Sequence, residues 1–563
     1  MKRLLLLTLA ASLSTLTTLA AGPSIASPGV YNSASYALAA FPNGGVAQGS
    51  IFVVFGSGLG PAAIAYNSSL PYQTTLSGTS VNVTVNGNPT ACYMYYTSAG
   101  QIAAILPSTT PTGIGTITVT YNGATSPGAQ ITVVKNALGL FSLSQAGSGP
   151  AVIQGPNGAV NSFTSAFQPG ETVTFWGTGL GPITGSDATT PPSGNLPGTT
   201  VTANIGGQNA VVQYAGRSGF AGEDQINVTI PSGVTGCYVP VYMTVNGVPS
   251  NFLSMSIANS GSVCSDADLY TSTDLQNVAN GTGLRTGGVV LEQYALSISI
   301  PGIPISIPPE ESEEGSGTFS KYPATTFLGS QGGLGNLAVS AGCMVFEYAG
   351  SSYADPVVPA GLDAGTQINV TGPNGTKPLT KGSLGNYSAT FVAPSLSLTG
   401  SSTPPFLTPG AYTLDNGAGG ADVGAFKVNI TVPAAITWSN KSTVNTVPRT
   451  QPLTINWTGG AANALVYITG ISPLAVNAST GNLLGAGQFQ CVAPASAGTL
   501  TIPAAILSAL PPSANISESG ITVGGGIIIV SSQANVSPPP PSGLDVFLAG
   551  ASSGDGKVGV TFQ

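Results

Sequence analysis

Residues 49–61 read GSIFVVFGSGLGP and residues 170–182 read GETVTFWGTGLGP, and the two segments align at an offset of 121 without a gap. Three further blocks match in the same order, with offsets of 120 to 124: 76–81 with 196–201, 101–107 with 225–231, and 119–123 with 243–247. Four blocks in a constant order indicate one repeated unit. The chain therefore contains two copies of a domain of about 110–125 residues.

The repeated blocks have the pattern of β-strands. Residues 80–85, SVNVTV, alternate polar and apolar side chains, and the Asn86-Gly87 that follows them is a hairpin signal. Residues 116–120 alternate in the same way. Short strands between turn signals, without a long amphipathic helix, predict an antiparallel β-sandwich. The GxGLGP glycines are interpreted as turn residues, because no helical pattern or acid follows them as a phosphate-binding loop requires.

These motifs carry a resemblance to a known group of domains. The chain resembles an uncharacterised secreted β-domain family of acidobacterial proteins in the order of three motifs: GxGLGP, LPGTTV at 196–201 and QINVTIP at 225–231. That family is itself similar to the IPT/TIG group of immunoglobulin-like domains. The resemblance covers about residues 28–264. It implies an all-β fold class of tandem immunoglobulin-like antiparallel β-sandwiches, with repeat 1 over 27–136 and repeat 2 over 137–264. It brings no established activity and no catalytic residue.

The N-terminal segment has the pattern of a secretory signal peptide, predicted over residues 1–26. Two basic residues precede an apolar run and a group of small residues, and cleavage after Ala20, Ala21 or Ala26 fits this pattern. An uncleaved membrane anchor is the alternative, but Ser and Thr residues interrupt a run that should contain about 20 mostly apolar residues. We therefore expect a secreted or cell-surface protein without a membrane span after cleavage.

The composition excludes several classes of function. Only 6% of the 563 residues are charged, and there is no histidine, so histidine-based catalytic triads are excluded. Residues 4–134 contain no Asp, Glu, Lys or Arg, which leaves the first domain without an ordinary general acid or base. The net charge of −8 makes nucleic acid a poor partner, because phosphate binding needs clustered basic side chains.

The second half of the chain is predicted as a β-rich domain over 265–432, a β-sandwich domain over 433–541 and a C-terminal hairpin or tail over 542–563. Trp438 and Trp457 lie on short predicted strands and are interpreted as core residues rather than a sugar platform. Residues 503–510, PAAILSAL, predict one or two helical turns. The acidic run EESEE at 310–314 lies between prolines and glycines and predicts a solvated loop.

Five cysteines in an exported chain predict two disulfides and one remaining thiol. Cys237 and Cys264 form the first predicted pair, which the family resemblance also favours. Cys343 and Cys491 form the second predicted pair and would connect the third unit to the fourth. Cys92 would then be a buried free thiol, and no basic residue lies near it in the sequence to lower its pKa.

Candidate sites for chemistry are few. Asp266, Asp268 and Asp274 could supply oxygen ligands to calcium, although the glycine and the terminal glutamate of a calcium loop are missing. Glu223 and Asp224 are adjacent acids and are predicted to lie on the surface, pointing to opposite faces of a strand. We predict no catalytic residue, no cofactor-binding residue and no cofactor.

These observations predict a secreted or surface-displayed multi-domain β-sandwich protein with a non-catalytic, structural or adhesive role. Its expected partners are a cell-surface polymer, a glycan or other envelope proteins. One alternative is a carbohydrate-binding module array, which requires exposed coplanar aromatic rings from Tyr93, Tyr95, Tyr96 and the tryptophans. A second alternative is a carboxylate-dependent hydrolase within residues 265–563, which requires two acids facing one cleft.

Overall fold

The structure is a computed structural model that describes residues 22–266, 270–298, 308–324, 342–349, 359–383, 385–393, 404–461, 463–476, 483–518 and 521–563. These residues form forty β-strands, two α-helices and two 3₁₀ turns, so the predicted all-β fold is confirmed. No helix within the described ranges is long and apolar enough to cross a membrane. Most of the predicted signal peptide, residues 1–21, lies outside the described residues.

The first copy of the repeat is a sandwich of two sheets. Its strands are β1 (Ser24–Asn32), β2 (Val46–Ala47), β3 (Ile51–Ser57), β4 (Ala65–Tyr66), β5 (Thr75–Leu76), β6 (Thr79–Val85), β7 (Asn88–Ala91), β8 (Tyr93–Thr97), β9 (Gln101–Ile105), β10 (Gly113–Tyr121), β11 (Ala124–Thr125) and β12 (Ala129–Val134). One sheet has the order β1-β3-β9-β8-β4 and the other β2-β12-β10-β6-β5. The predicted alternation places Val81, Val83 and Val85 of β6 in the core between them.

The second copy repeats this architecture. Its strands are β13 (Gly139–Leu140), β14 (Ile153–Gln154), β15 (Thr172–Thr178), β16 (Val201–Ile205), β17 (Gln208–Arg217), β18 (Asp224–Thr229), β19 (Gly236–Val245), β20 (Val248–Pro249) and β21 (Leu253–Ile257). Strand β17 pairs with both β16 and β18, which joins the two layers in one continuous order, β13-β15-β18-β17-β16-β19-β20. The core contains Phe175, Ile226 and Val241.

The second half of the chain begins with helix α1 (Ser272–Ala279), which was not predicted, and contains helix α2 (Ala504–Ala509), which confirms the helical turns expected at 503–510. Its strands are β22 (Leu284–Ile298), β23 (Glu310–Tyr322), β24 (Gly342–Ala349), β25 (Ala360–Gly361), β26 (Gln367–Gly372), β27 (Gly375–Lys381), β28 (Asn386–Val392), β29 (Gly410–Asp415), β30 (Lys427–Val432), β31 (Thr437–Trp438), β32 (Thr446–Val447), β33 (Leu453–Thr458), β34 (Leu465–Val476), β35 (Leu483–Pro494), β36 (Thr499–Ile502), β37 (Asn515–Glu518), β38 (Ile521–Gly524), β39 (Gly526–Val536) and β40 (Val546–Phe562).

One large sheet connects most of these strands, in the order β24-β35-β34-β39-β40-β22-β23-β28-β27-β26-β29-β30. Two hydrophobic cores pack along it. Phe319, Phe426 and Phe547 lie in one core, whereas Trp438 and Trp457 lie in the other. Both tryptophans are buried, at 2% and 3% exposure, which confirms their interpretation as core residues.

The prediction of a C-terminal hairpin or tail over 542–563 is wrong. Strand β40 runs without a turn from Val546 to Phe562. It pairs in parallel with β22 and antiparallel with β39. Its turn-like SGDG segment stays extended because buried partners satisfy its polar groups: Ser553 accepts a hydrogen bond from the Ile436 amide, and Asp555 accepts one from the Trp438 amide. Because β40 contributes to both cores, residues 542–563 are a central part of the second half.

The prediction for the acidic run is also wrong. Residues 310–314 were predicted as a solvated loop, but they begin strand β23. Glu313 is buried, and its carboxylate accepts hydrogen bonds from the backbone amides of Phe406 (2.7 Å) and Leu407 (2.9 Å). The amide donors that make this burial possible lie 93 and 94 residues further along the chain, so the local sequence pattern does not reveal them.

Four of the five cysteines form two disulfides, Cys237–Cys264 and Cys343–Cys491, and Cys92 is a buried free thiol. Cys343 and Cys491 are directly opposed on the neighbouring strands β24 and β35. Burial raises the pKa of the Cys92 thiol well above its ordinary value, so the thiolate is disfavoured.

Candidate functional site

A half-exposed aromatic surface covers the outer side of the β1-β3-β9-β8-β4 sheet. We call it the tyrosine face. Its rings surround a small apolar cluster of Ile51, Val53, Ala103 and Ile105, and they belong to Tyr31, Tyr36, Phe55, Tyr72, Tyr93, Tyr95 and Tyr96, with Tyr66 in contact with Tyr96. Tyr66 is the most open member, with 61% of its surface exposed.

Strand alternation and one β-bulge bring these rings to the same side. On β3, Phe52 and Val54 face the sandwich core, so Phe55 faces outward. The pairing of β8 with β9 shifts register between Met94 and Tyr96. Because a bulge sets two residues against one, the consecutive residues Tyr95 and Tyr96 both join the tyrosine face, which regular alternation would not allow.

The rings contact one another along the face. The centroid distances are 5.9 Å for Tyr66 and Tyr96, 6.3 Å for Tyr95 and Tyr96, and 5.7 Å for Tyr72 and Tyr95. The interplanar angles of these pairs are 60–87°, so the rings are tilted or edge-to-face rather than coplanar. The carbohydrate-binding alternative requires coplanar exposed rings, and Tyr95 and Tyr96, at 65° to each other, do not meet that requirement.

Burial favours the neutral phenol at five tyrosines of the face. Burial raises the pKa of Tyr31, Tyr36 and Tyr95, and it raises the pKa of Tyr96 to about 12. Within the described part of the chain, no hydrogen bond engages a tyrosine hydroxyl of this face. Each tyrosine of the face therefore offers an apolar ring and a hydroxyl that makes no hydrogen bond within the described residues, whereas Phe55 is wholly apolar.

The second domain contributes one border of the tyrosine face through the turn between β17 and β18. Ala221 of this turn packs into the same apolar cluster, and Phe220 beside it is 66% exposed. Burial is the main cause of the raised pKa of Tyr72 and Tyr95, and the nearby charge of Glu223 raises both further. The Glu223 carboxylate accepts a hydrogen bond from the Ser218 hydroxyl at 2.7 Å. Burial raises the pKa of Glu223 itself.

A buried ion pair at this turn fastens the two domains together. Arg217 and Asp224 contact each other at 3% and 0% exposure, so the prediction that Asp224 is a surface acid is wrong. The Arg217 Nη2 donates to the carbonyl groups of Gly49 (3.1 Å) in the first domain and Gly181 (2.6 Å) in the second. The Leu180 amide donates to Asp224 Oδ2 at 2.7 Å. We call these residues the interdomain joint.

Neutral hydrogen bonds extend the interdomain joint. The Ile51 amide of the first domain donates to Thr178 Oγ1 of the second at 2.8 Å, and Asn32 Nδ2 donates to the Thr178 carbonyl at 3.1 Å. Gly49 adopts a φ of +73°, and a Cβ built there would lie 2.5 Å from Arg217 Nη2. The positive φ and the close guanidinium group both favour glycine at position 49, whereas its counterpart Gly170 shares only the positive φ, of +88°.

The calcium candidates have structural roles where they are described. Asp274 forms a capping box with Thr271 at the start of α1, and Asp266 accepts a hydrogen bond from the Cys237 amide at 3.2 Å. Asp268 lies outside the described residues. Across the described ranges, no three His, Cys, Asp or Glu side chains come together as a metal site would require.

Two carboxyl groups meet in the second half of the chain. Glu292 of β22 and Glu314 of β23 are direct cross-strand partners. The pKa of Glu292 is raised, mainly by burial and also by the charge of Glu314. The Ser552 and Tyr294 hydroxyls donate to Glu292 Oε1 at 3.3 Å and 3.4 Å. Sequence reasoning missed this pair because it assigned Glu314 to a loop.

Comparison with known proteins finds no matching family model and no matching curated protein. Among solved structures, domains 5–6 of the S-layer protein SbsC are 13% identical, with 42% of this chain and 99% of that chain covered and a TM-score of 0.17. The Escherichia coli adhesin FdeC is 14% identical, with 68% and 93% covered and a TM-score of 0.13.

The Bacteroides ovatus protein SGBP-B, solved in complex with a mixed-linkage heptasaccharide, is 11% identical to this chain, with 86% of this chain and 96% of that chain covered and a TM-score of 0.15. These three structures thus come from an S-layer protein, an adhesin and a protein solved with a bound heptasaccharide. At these identities and TM-scores, the likeness supplies no ligand and no activity for this chain.

Proposed function

We propose that the chain is a secreted or surface-displayed multi-domain β-sandwich protein with a structural and adhesive role and without catalytic activity. Its first two domains, over 27–136 and 137–264, are proposed as IPT/TIG-like domains of the acidobacterial secreted type. The proposed location is extracytoplasmic, which the disulfides support because such bonds persist in oxidising compartments. The proposed partners are cell-surface polymers, glycans or other envelope proteins.

The observation that carries this proposal is the use of buried charged side chains to join segments of the chain. Arg217 and Asp224 join the two repeats, Glu313 holds the loop at Phe406, and Asp555 binds the Trp438 amide. A charged group engaged in this way is not free to act on a substrate. These contacts support a role in which the domains hold a fixed arrangement and transmit force or contact.

Signal cleavage is part of the proposal. Strand β1 begins at Ser24, and its first residues Ser24 and Ile25 pair with Ser57 and Gly56 of β3. Cleavage after Ala26 would remove these paired residues, whereas cleavage after Ala20 or Ala21 would leave β1 whole. We therefore favour the two earlier positions.

Expression of the whole chain in a bacterial host, followed by fractionation, N-terminal sequencing of the exported product and binding of that product to cells and wall polymer, tests the proposal. We expect export, a mature N-terminus at Ala21 or Gly22, and binding to an envelope component. Retention of the intact N-terminus in the cytoplasm, or an exported product that binds no cell or envelope material, would contradict it.

The hydrolase alternative has less support. Glu292 and Glu314 are hydrogen-bonded neighbours, whereas the two carboxyl groups of a glycosidase stand about 5–10 Å apart to admit the bond or the water between them. Two carboxyl groups within hydrogen-bonding distance of each other leave no such space. We therefore keep the non-catalytic role as the proposed function.

A further inference from the structure

We propose that the tyrosine face binds a neutral, soluble glycan chain, with sugar rings packed on the tyrosine rings and sugar hydroxyls bonded to the phenol groups and to Glu223. This inference rests on the proposed function, because it supplies the ligand class through which the protein would adhere. It assigns the binding surface to the first domain and to the β17–β18 turn of the second.

The fold itself does not require these aromatic residues, as the second copy of the domain demonstrates. Both copies carry the same bulge, between Met94 and Tyr96 on β8 and between Val212 and Tyr214 on β17. In this register, the counterparts of Tyr93 and Tyr95 are Val211 and Gln213. The same sandwich therefore forms with an aliphatic and an amide side chain at these two positions.

The outer sheet face of the second copy satisfies its own polar groups. Thr172 and Thr229 share a hydrogen bond of 3.0 Å, Thr174 donates to Asn227 at 3.0 Å, and Gln213 donates to Thr229 at 3.1 Å. This copy keeps aromatic residues at Trp176 and Tyr214, but the Tyr214 hydroxyl donates to the Arg217 carbonyl at 2.7 Å. Unengaged phenol groups thus distinguish the first copy.

The chemistry of the tyrosine face matches a sugar better than an apolar partner. A pyranose ring presents C–H groups on its faces and hydroxyls around its edge, and a tyrosine offers an apolar ring with a hydroxyl at its end. Ligand sites in general combine aromatic walls with a few polar groups that fix orientation. Adjacent rings lie 5.7–6.3 Å apart, so a glycan chain would contact several of them at once.

The tilt of the rings and the local charge narrow the ligand class. A crystalline polysaccharide surface needs coplanar rings, whereas the angles of 60–87° suit a single chain. Glu223 is the charged group that acts on the tyrosines, and Arg217 beside it is already paired with Asp224. An anionic glycan would meet a carboxylate without a compensating cation, so a neutral glycan is favoured.

The test is affinity electrophoresis and calorimetry of the mature exported chain with a panel of probes. Laminarin, mixed-linkage β-glucan, xylan, galactomannan and dextran represent soluble neutral glycans, alginate represents an anionic glycan, and microcrystalline cellulose represents a crystalline surface. Tyr93→Val and Tyr95→Gln introduce the residues that the second copy carries at the same positions. Tyr121→Val is the matched control, because Tyr121 lies on β10 of the other sheet and the second copy has Val245 there.

We expect at least one soluble neutral glycan to bind, with an affinity that falls about tenfold or more in Tyr93→Val and Tyr95→Gln and is unchanged in Tyr121→Val. Unchanged hydrogen exchange in strands β3 and β9 will show that the variants are folded. The inference is overturned if none of the neutral glycans binds, if alginate or cellulose alone binds, if a protein binds the face instead, or if the two face variants bind like the control. If cell adhesion survives in the face variants, this inference fails while the proposed function stands; if the native chain does not adhere at all, the proposed function fails.

Discussion

Removal of the Arg217 charge is expected to open the joint between the two repeats. In Arg217→Met the apolar stem is retained, but Asp224 remains buried without its partner, and the carbonyl groups of Gly49 and Gly181 lose their donor. Removing one member of a buried ion pair costs about 3–5 kcal/mol, because the other charge stays desolvated. The opening equilibrium of the joint should therefore increase by about two to four orders of magnitude.

A second substitution separates the ion pair from simple loss of packing. Asp224→Asn in the Arg217→Met background removes the remaining buried charge and keeps an oxygen that can accept the Leu180 amide. Replacing both members of a buried pair is often close to neutral. We therefore expect the double variant to be more stable than Arg217→Met alone, with a coupling free energy of about 2–3 kcal/mol in a double-mutant cycle.

Hydrogen exchange measures this opening locally, which matters because unfolding of several packed domains is not a single two-state transition. The reporters are the Ile51 amide, which donates to Thr178 across the joint, and the Leu180 amide, which donates to Asp224. The Val370 amide in β26, within a separate core, is the internal control. Exchange at both reporters within about threefold of the unsubstituted protein, or a double variant no more stable than the single one, would refute the reasoning.

Three further predictions concern stability. Burial raises the pKa of Glu347 to about 8, so its proton is held more tightly in the native state and stability should fall by up to about 1.4 kcal/mol per pH unit as pH rises from 4.5 towards 8. Glu347→Gln should flatten that profile in urea titrations, and an unchanged slope would count against it. Glu292→Gln should likewise reduce the loss of stability above pH 5, because the raised pKa of Glu292 has the same sign. Replacing Cys237 and Cys264 by serine should destabilise strand β19 by roughly 3–4 kcal/mol, measured by hydrogen exchange at its amides, and unchanged exchange there would contradict this.

Much of the fold could be predicted because the relevant signals are local. The alternation at 80–85 marks β6 and the apolar run at 503–510 marks α2. The burial of Trp438 and Trp457 agrees with their place on short strands, where Trp457 shares a face with Ile455 by alternation. Each of these features depends on neighbours within a few residues, so the sequence alone suffices to infer them.

The candidate site was harder to predict from the sequence than the fold. Tyr93, Tyr95 and Tyr96 were singled out as aromatic residues, but the bulge that turns the last two to one side arises from the pairing of β8 with β9. Tyr66 and Glu223 join or border the face only because β4 and the second domain pack beside it. No spacing in the sequence encodes those contacts.

The amino-acid sequence alone established the repeated unit, the β-sandwich pattern and the scarcity of ionisable groups, because each can be read from the types of residue and their periodic spacing. Where the rare charges lie was decided by packing. Arg217 reaches Gly49 across 168 positions, and Asp555 reaches Trp438 across 117. A buried charge is stable only where distant segments bring it hydrogen-bond partners, and such partners exist only once the whole chain has folded.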